Sequence, residues 1–142
     1  MDVSRFVSAH KKSYLQAYLE LKTGKKMGHW MWYIFPQIQG LGFSETAEYY
    51  AVKNIEEAKT YMHHPILQTH MIELCSILLE LNTNDAHKVF GSPDDLKLHS
   101  SMTLFAIACP EYDIFQKVID KYYDGDKDDN TIVILEDLED DV

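Results

Sequence analysis

The chain has 142 residues, 46% of them hydrophobic, and this length and composition predict one globular domain with a core of its own. Its formal net charge of −10 excludes general binding to duplex nucleic acid, which depends on many cationic contacts with phosphates. No apolar run approaches the roughly 20 residues of a membrane span, and the first residues lack an apolar signal region. We therefore expect a cytoplasmic protein without membrane contacts.

The charge is distributed unevenly along the chain. Residues 124–142 carry a net charge of −8, whereas residues 1–28 carry +4. This asymmetry leaves room for a local basic pocket that could hold a small phosphate. It also predicts a single domain over residues 1–135, followed by a solvated acidic tail over residues 136–142.

The first half of the chain contains several helix signals. The apolar spacing of residues 4–23 predicts a helix that Gly24 ends. The aromatic segment that follows is too short to classify, and Pro36 ends it. Gly40 begins a turn, after which Ser44 is predicted to cap a short helix through about residue 52.

The second half is also predominantly helical in pattern. Asn54 opens a capping-box helix, and the stripe over residues 65–81, with proline at its first position, predicts a buried central helix. Ser92 is predicted to cap a helical start, after which residues 96–108 form a helix or a turn followed by a helix, and another helix covers residues 111–123. Residues 131–135 favour either a strand or a last helical turn. The fold class is therefore mainly α, a compact single-domain multi-helical fold with at most a short strand or two.

Residues 28–37 are the most informative segment, because they hold both tryptophans among polar side chains. Most of these rings are predicted to be core, and a minority to line a pocket for a planar phosphorylated ligand. The candidate ligand-binding residues here, together with two preceding lysines, are Lys25, Lys26, His29, Trp30, Trp32, Tyr33 and Gln37.

Residues 94–103 form a second polar cluster. Its Lys97, Ser100, Ser101 and Thr103 could hold phosphate or ribose oxygens. Alternatively, the hydroxyls only satisfy backbone groups of a helix start. Both clusters place polar atoms among core residues, so we expect them to lie side by side around one pocket.

Other chemistry finds little support in the sequence. The histidines lack the spacing of metal ligands. The acidic residues from Asp124 lack the glycine and the final glutamate of a calcium-binding loop. Cys75 and Cys109 lie in apolar runs, which favours buried free thiols. We therefore expect neither a metal site nor a cofactor.

Two long motifs and three short ones resemble a known family, the domain-of-unknown-function family 1810. The motifs are His-Trp-Met-Trp-Tyr-Ile-Phe-Pro-Gln at 29–37, Gly-Leu-Gly-x-Ser at 40–44, His-Pro-x-Leu at 64–67, Phe-Gly at 90–91 and Asp-Asp-Leu-Lys-Leu-x-Ser-Ser-Met-Thr-Leu-Phe at 94–105. The resemblance implies a helical domain of the YbiA-like superfamily. That superfamily includes the NADAR proteins, some of which cleave N-glycosidic bonds in ribosylated or ADP-ribosylated molecules.

Three functions follow as hypotheses. The first is binding of a nucleotide-like or ADP-ribose-like ligand, which would be sequestered or sensed. The second is an N-glycosidase, for which Asp94, Asp95 and Glu48 are the candidate catalytic carboxylates. The third is a protein interaction module that uses the acidic tail. The sequence favours binding, because aromatic faces, a cation and hydroxyls suffice for it, and it leaves open whether the chain forms a homo-oligomer.

Overall fold

The structure, a computed structural model, describes residues 1–140. Within that range it has nine helices and no strand, so the predicted mainly α fold is confirmed. The helices are α1 (Ser4–Lys22), α2 (Met31–Ile34), α3 (Glu45–Tyr50), α4 (Ile55–His63), α5 (Pro65–Glu80), α6 (Ala86–Phe90), α7 (Asp94–Ala108), α8 (Ile114–Tyr122) and α9 (Asp129–Asp140). A single parallel bridge joins Ile38 to Val52. No described helix is long and apolar enough to cross a membrane.

The core lies between α5 and α7, and both α4 and α8 pack against these two helices. Helix α5 buries Leu67, Leu74 and Leu78, as predicted for a central helix, although Ile66 at its start is exposed. Helix α7 buries residues on nearly all sides, which is expected of a helix enclosed by neighbours. Helix α1 packs against α5, and α2 rests on α1.

Two predicted helix starts are confirmed in detail, and one is wrong. Ser44 Oγ accepts the Ala47 N–H, and Asn54 Oδ1 accepts the Glu57 N–H. Helix α7, by contrast, has Pro93 rather than Ser92 as its N-cap, and no side chain caps it. Two aspartates in its first turn compensate for the missing cap through the helix dipole.

The last described helix decides between the two alternatives that the sequence left open for residues 131–135. Residues 131–135 belong to helix α9, not to a strand, and the buried Thr131 and Leu135 lie four residues apart on its inner face. Residues 136–140, which belong to the predicted acidic tail, continue the helix, with exposed side chains at 136–139. Asp141 and Val142 of that predicted tail lie outside the described residues.

Candidate functional site

The aromatic segment divides into core residues and surface residues. Trp30, Met31, Ile34 and Phe35 are buried, whereas Trp32 and Tyr33 are half-buried and His29 is exposed. These two half-buried residues are neighbours in the single turn of α2, but their rings line different cavities. The minority of rings that was expected to line a pocket therefore consists of Trp32 and Tyr33.

Trp30 is a structural residue in this fold. Its side chain is 1% exposed, and its ring packs near Phe35 and Phe90 at centroid distances of 6.3 and 6.5 Å. Its indole Nε1 donates to Glu20 at 2.9 Å. The prediction that Trp30 could stack on a ligand is therefore wrong, since no ligand can reach its faces.

Glu20 holds the segment in place, a role that no sequence pattern indicates. One carboxylate oxygen accepts the backbone N–H groups of Met27 and Gly28, at 2.7 and 2.8 Å, together with the indole of Trp30. Partial burial acts to raise the pKa of Glu20, but these hydrogen bonds outweigh it and lower the pKa to about 2.

We expect Glu20→Gln to lower the free energy of unfolding at pH 7 by about 1–2 kcal/mol. The amide keeps the shape but loses the charge that strengthens three hydrogen bonds, and partial exposure screens part of the loss. Urea denaturation measures the change. The control is Glu136→Gln, which neutralises an exposed carboxylate on α9. An equal loss of stability in both variants would contradict the role of Glu20.

A buried histidine connects α2 to α1 and α5. His10 Nε2 lies 2.9 Å from the carbonyl oxygen of Tyr33, and His10 Nδ1 lies 2.9 Å from His70 Nδ1. Because a carbonyl only accepts, His10 carries its proton on Nε2 and accepts from His70 on Nδ1. Burial lowers the pKa of His10 to about 4, with further lowering by His70 and His64. The neutral imidazole thus fixes the turn that carries Trp32 and Tyr33.

The two sequence clusters meet at a group of charges. Asp94 accepts from Lys26 Nζ at 2.8 Å and lies 3.7 Å from Lys97 Nζ, so one carboxylate sits between two ammonium groups. The Lys97 ammonium is also 5.3 Å from the centroid of the Trp32 ring, within the range of a cation–π interaction. The expectation that the clusters are neighbours is therefore met at Lys26, Trp32, Asp94 and Lys97.

A cleft of about 540 Å³ opens beside this group. Four predicted ligand-binding residues line it: Trp32, Gln37, Lys97 and Ser100. Residues that the prediction missed complete its wall, among them Phe43, Leu96, Asp128 and Asn130. Phe43 and Leu96 are 82% and 63% exposed, which is unusual for large apolar side chains and gives the cleft an open hydrophobic rim.

Gly42 allows α3 to close over one side of the cleft. A Cβ atom at this position would lie 2.7 Å from the Cβ of Ala47, which is too close for any side chain. The aromatic Phe43 follows directly and faces the cleft. In the sequence, this wall is indicated by a phenylalanine directly after the glycine turn at residues 40–42.

The hydroxyls of the second cluster position the start of α9. Asp128 Oδ2 accepts the Thr131 N–H and hydroxyl at 3.0 and 2.7 Å, and lies 3.3 Å from Ser100 Oγ. The Asp128 N–H in turn donates to Thr103 Oγ1 at 2.9 Å. This arrangement brings Asp128 and Asn130 into the cleft. The alternative prediction, that these hydroxyls only satisfy backbone groups, therefore applies to Thr103 and in part to Ser100.

The remaining candidates lie elsewhere. Ser101 and Thr103 are fully buried, and neither lines the cleft. Lys25 and His29 are exposed away from it. None of the three candidate catalytic carboxylates lines the cleft. Asp94 is ion-paired with Lys26, Asp95 lies 3.4 Å from His87, and Glu48 is exposed on α3.

A metal is not suggested by this geometry. Over residues 1–140, no three histidine, cysteine or acidic side chains converge as a metal ion would require. The chemistry that the cleft offers is aromatic stacking, one ammonium group, amide and hydroxyl hydrogen bonds, and the carboxylate of Asp128.

Comparison with known proteins agrees with the motifs. The model of a family described as a protein of unknown function, DUF1810, matches residues 1–135. The chain belongs to the DUF1810 family. Both halves of the cleft wall, the aromatic segment and the start of α7, fall inside the part that matches the family. A search of curated proteins gave no match.

A solved structure shares the DUF1810 chain's fold. It is the crystal structure, at 1.38 Å, of the conserved hypothetical protein Rv1873 from Mycobacterium tuberculosis. The two sequences are 41% identical, the alignment covers 95% of this chain and 96% of that one, and the TM-score is 0.92. Neither the DUF1810 description nor this relative's title names a ligand or a reaction.

Proposed function

We propose that the cleft binds a small ligand that carries both an aromatic ring and an anionic group, of the nucleotide or ADP-ribose class. The observation that supports this most is the position of the Lys97 ammonium over the Trp32 ring on the wall of an open 540 Å³ cleft. One end of such a ligand would meet an aromatic face, and the other a cation.

The apolar side of the cleft suits a base. Trp32 and the exposed Phe43 both line it, and a base stacked on such a ring gains about 1–3 kcal/mol of binding free energy. The exposed Leu96 extends this surface. A ligand that covers these side chains would remove their apolar surface from contact with water, which favours binding.

The polar side suits a phosphate and a ribose. Lys26 and Lys97 share one carboxylate, so their group keeps a net positive charge, and Asp94 orients Lys97. The amides of Gln37 and Asn130 can donate to phosphate oxygens. Asp128 repels a phosphate placed beside it but accepts hydrogen bonds from sugar hydroxyls, which favours a ligand with both groups.

Replacing Lys97 with alanine is expected to weaken binding roughly tenfold, since it removes the charge-assisted contact with the phosphate. Calorimetric titration with ADP-ribose, NAD, cyclic nucleotides and ribose phosphates provides the measurement. Lys117→Ala is the matched control. Lys117 lies on α8, away from the cleft, and also forms an ion pair with an aspartate one helical turn before it. The proposal fails if the folded wild-type protein binds none of these ligands.

The N-glycosidase alternative rests on Asp128, because this carboxylate lines the cleft and the three carboxylates proposed from the sequence do not. Glycosidic cleavage requires a carboxylate next to the scissile bond. Incubation with ribosides and ADP-ribosylated compounds, followed by chromatography for the released base, tests it. Base release that Asp128→Asn abolishes would support turnover, whereas an intact bound ligand would support binding alone.

The finer placement of the family rests on the resemblance of its sequence motifs. We propose that the DUF1810 domain is related to the YbiA-like and NADAR proteins and acts on a cytoplasmic nucleotide-like ligand. The motifs at 29–37 and 94–105 support the relationship. The aromatic ring, the cation and the carboxylate in one cleft support a phosphorylated riboside as the ligand.

A further inference from the structure

A second cavity, of about 390 Å³, lies on the other side of α2 and shares no lining residue with the cleft. One of its walls is a face of α1, and the opposite wall is made of three tyrosines. The lining includes Ser8, Lys12 and Ser13 on α1 and, opposite them, Tyr33, Tyr49 and Tyr50. The lining positions on α1 repeat with the period of a helix.

The charge of this cavity is opposite in sign to that of the whole protein. No aspartate or glutamate of the described chain is among its lining residues, although the formal net charge is −10. Lys12 is exposed at its edge and forms no ion pair within residues 1–140. A single uncompensated ammonium group therefore sits at the edge of the cavity.

Arg5 builds the wall and does not act as a ligand-binding cation. Its guanidinium donates to both carboxylate oxygens of Glu57 and to the carbonyl oxygens of Asp2, Tyr49 and Ala51. These five bonds use its five N–H groups, and Glu57 balances its charge. The effect of Arg5 is to fix Tyr49 and the end of α3 against α1, which keeps the cavity open.

Hydroxyl groups supply the rest of the lining. Ser13 Oγ and Tyr33 Oη lie 2.9 Å apart, so this pair already forms a hydrogen bond across the cavity. The hydroxyls of Ser8, Tyr49 and Tyr50 have no hydrogen-bond partner in the described part of the chain and are available to a ligand. An ammonium group with several hydroxyls and no carboxylate suits an anion with several oxygen acceptors.

We propose that this second cavity binds a small oxyanion of the phosphate or phosphate-ester class, with Lys12 supplying the charge and the serine and tyrosine hydroxyls donating hydrogen bonds. The proposal is independent of the function assigned to the cleft, because the two cavities are lined by different residues. The ligand needs no aromatic ring, since the tyrosine rings of the lining form tilted or edge-on pairs and not a parallel stack that could hold a ring.

NMR titration with inorganic phosphate and with ribose 5-phosphate, at constant ionic strength, tests the proposal. We expect saturable shifts of the Ser8, Lys12 and Ser13 amide signals with a dissociation constant of about 1 mM. Shifts with inorganic phosphate would identify the free anion as sufficient, and shifts with ribose 5-phosphate alone would identify an ester. Both results support the oxyanion site.

Three variants separate this site from other causes. Lys12→Ala is expected to weaken binding by roughly three- to tenfold. Lys11→Ala removes the neighbouring exposed charge, which does not line the cavity, and is expected to leave binding unchanged. Lys97→Ala alters only the cleft and is also expected to have no effect on these signals. Equal losses in Lys11→Ala and Lys12→Ala, or no saturable shift in the wild type, would overturn the proposal.

Discussion

Replacing Trp30 with alanine is expected to lower the free energy of unfolding by about 3–5 kcal/mol, because the change removes a fully buried indole and leaves a cavity between Phe35 and Phe90. It also removes a hydrogen bond to Glu20. Replacing Trp32, only two residues away but half-buried at the cleft, is expected to cost about 1 kcal/mol.

The two tryptophan variants thus separate stability from binding. Urea denaturation gives the stability of each, and titration with ADP-ribose gives its affinity. Trp30→Ala should be destabilised, whereas Trp32→Ala should remain folded and bind roughly tenfold more weakly. Similar stability losses in the two variants would contradict the assignment of Trp30 to the core and Trp32 to the cleft.

Mild acid is expected to remove about 3 kcal/mol of stability through His10. Its pKa is about 4 in the folded protein and about 6.5 when unfolded, so the unfolded chain takes up the proton first as the pH falls. The contribution is complete above pH 6.5 and decreases as the pH falls from about 6.5 to about 4. His70, whose pKa is also lowered by burial, acts in the same direction.

The matched measurement compares the wild type with His10→Gln, which keeps a donor for the Tyr33 carbonyl but does not titrate. The free energy of unfolding is measured from pH 7 to pH 4.5, where Glu20 stays ionised because its pKa is about 2. The wild type should lose about 2–3 kcal/mol more than the variant over this range. Parallel pH profiles would show that the His10 proton does not control stability.

Most helices could be predicted because their signals are local. Helix α5 begins at a proline that follows a capping histidine, and its apolar side chains recur at helical spacing. Helices α3 and α4 begin at a serine and an asparagine that cap them as expected. These features depend on residues within one turn of each other, so the sequence alone contains the information.

Helix α9 was ambiguous for a physical reason. Its β-branched and apolar residues favour a strand by propensity, but Asp128 caps the first turn through Thr131 and the buried Leu135 packs in the core. Tertiary contacts with α7 therefore override the local preference. The aspartate three residues before Thr131 was a usable cap signal.

The candidate site could be predicted only in part. The meeting of the two motifs followed from polar residues placed among apolar ones, and Trp32 and Lys97 do meet. Which tryptophan faces the cleft could not be read from the sequence, because Trp30 and Trp32 differ in the direction in which their side chains leave the start of α2. Asp128 and Asn130 reach the cleft through the position of α9, which depends on Ser100 and Thr103 far away in sequence.

The two tryptophan indole N–H signals give the most direct test of the proposed ligand site, because the chain has only two tryptophans. In an NMR titration of the wild-type protein with ADP-ribose, the Trp32 indole signal should shift in a saturable manner, together with the amide signals of Lys97 and Asn130. The Trp30 indole signal should stay in place, since its N–H donates to Glu20 inside the core. A shift of the Trp30 signal alone, or no shift of either signal, would contradict a nucleotide-like ligand in this cleft.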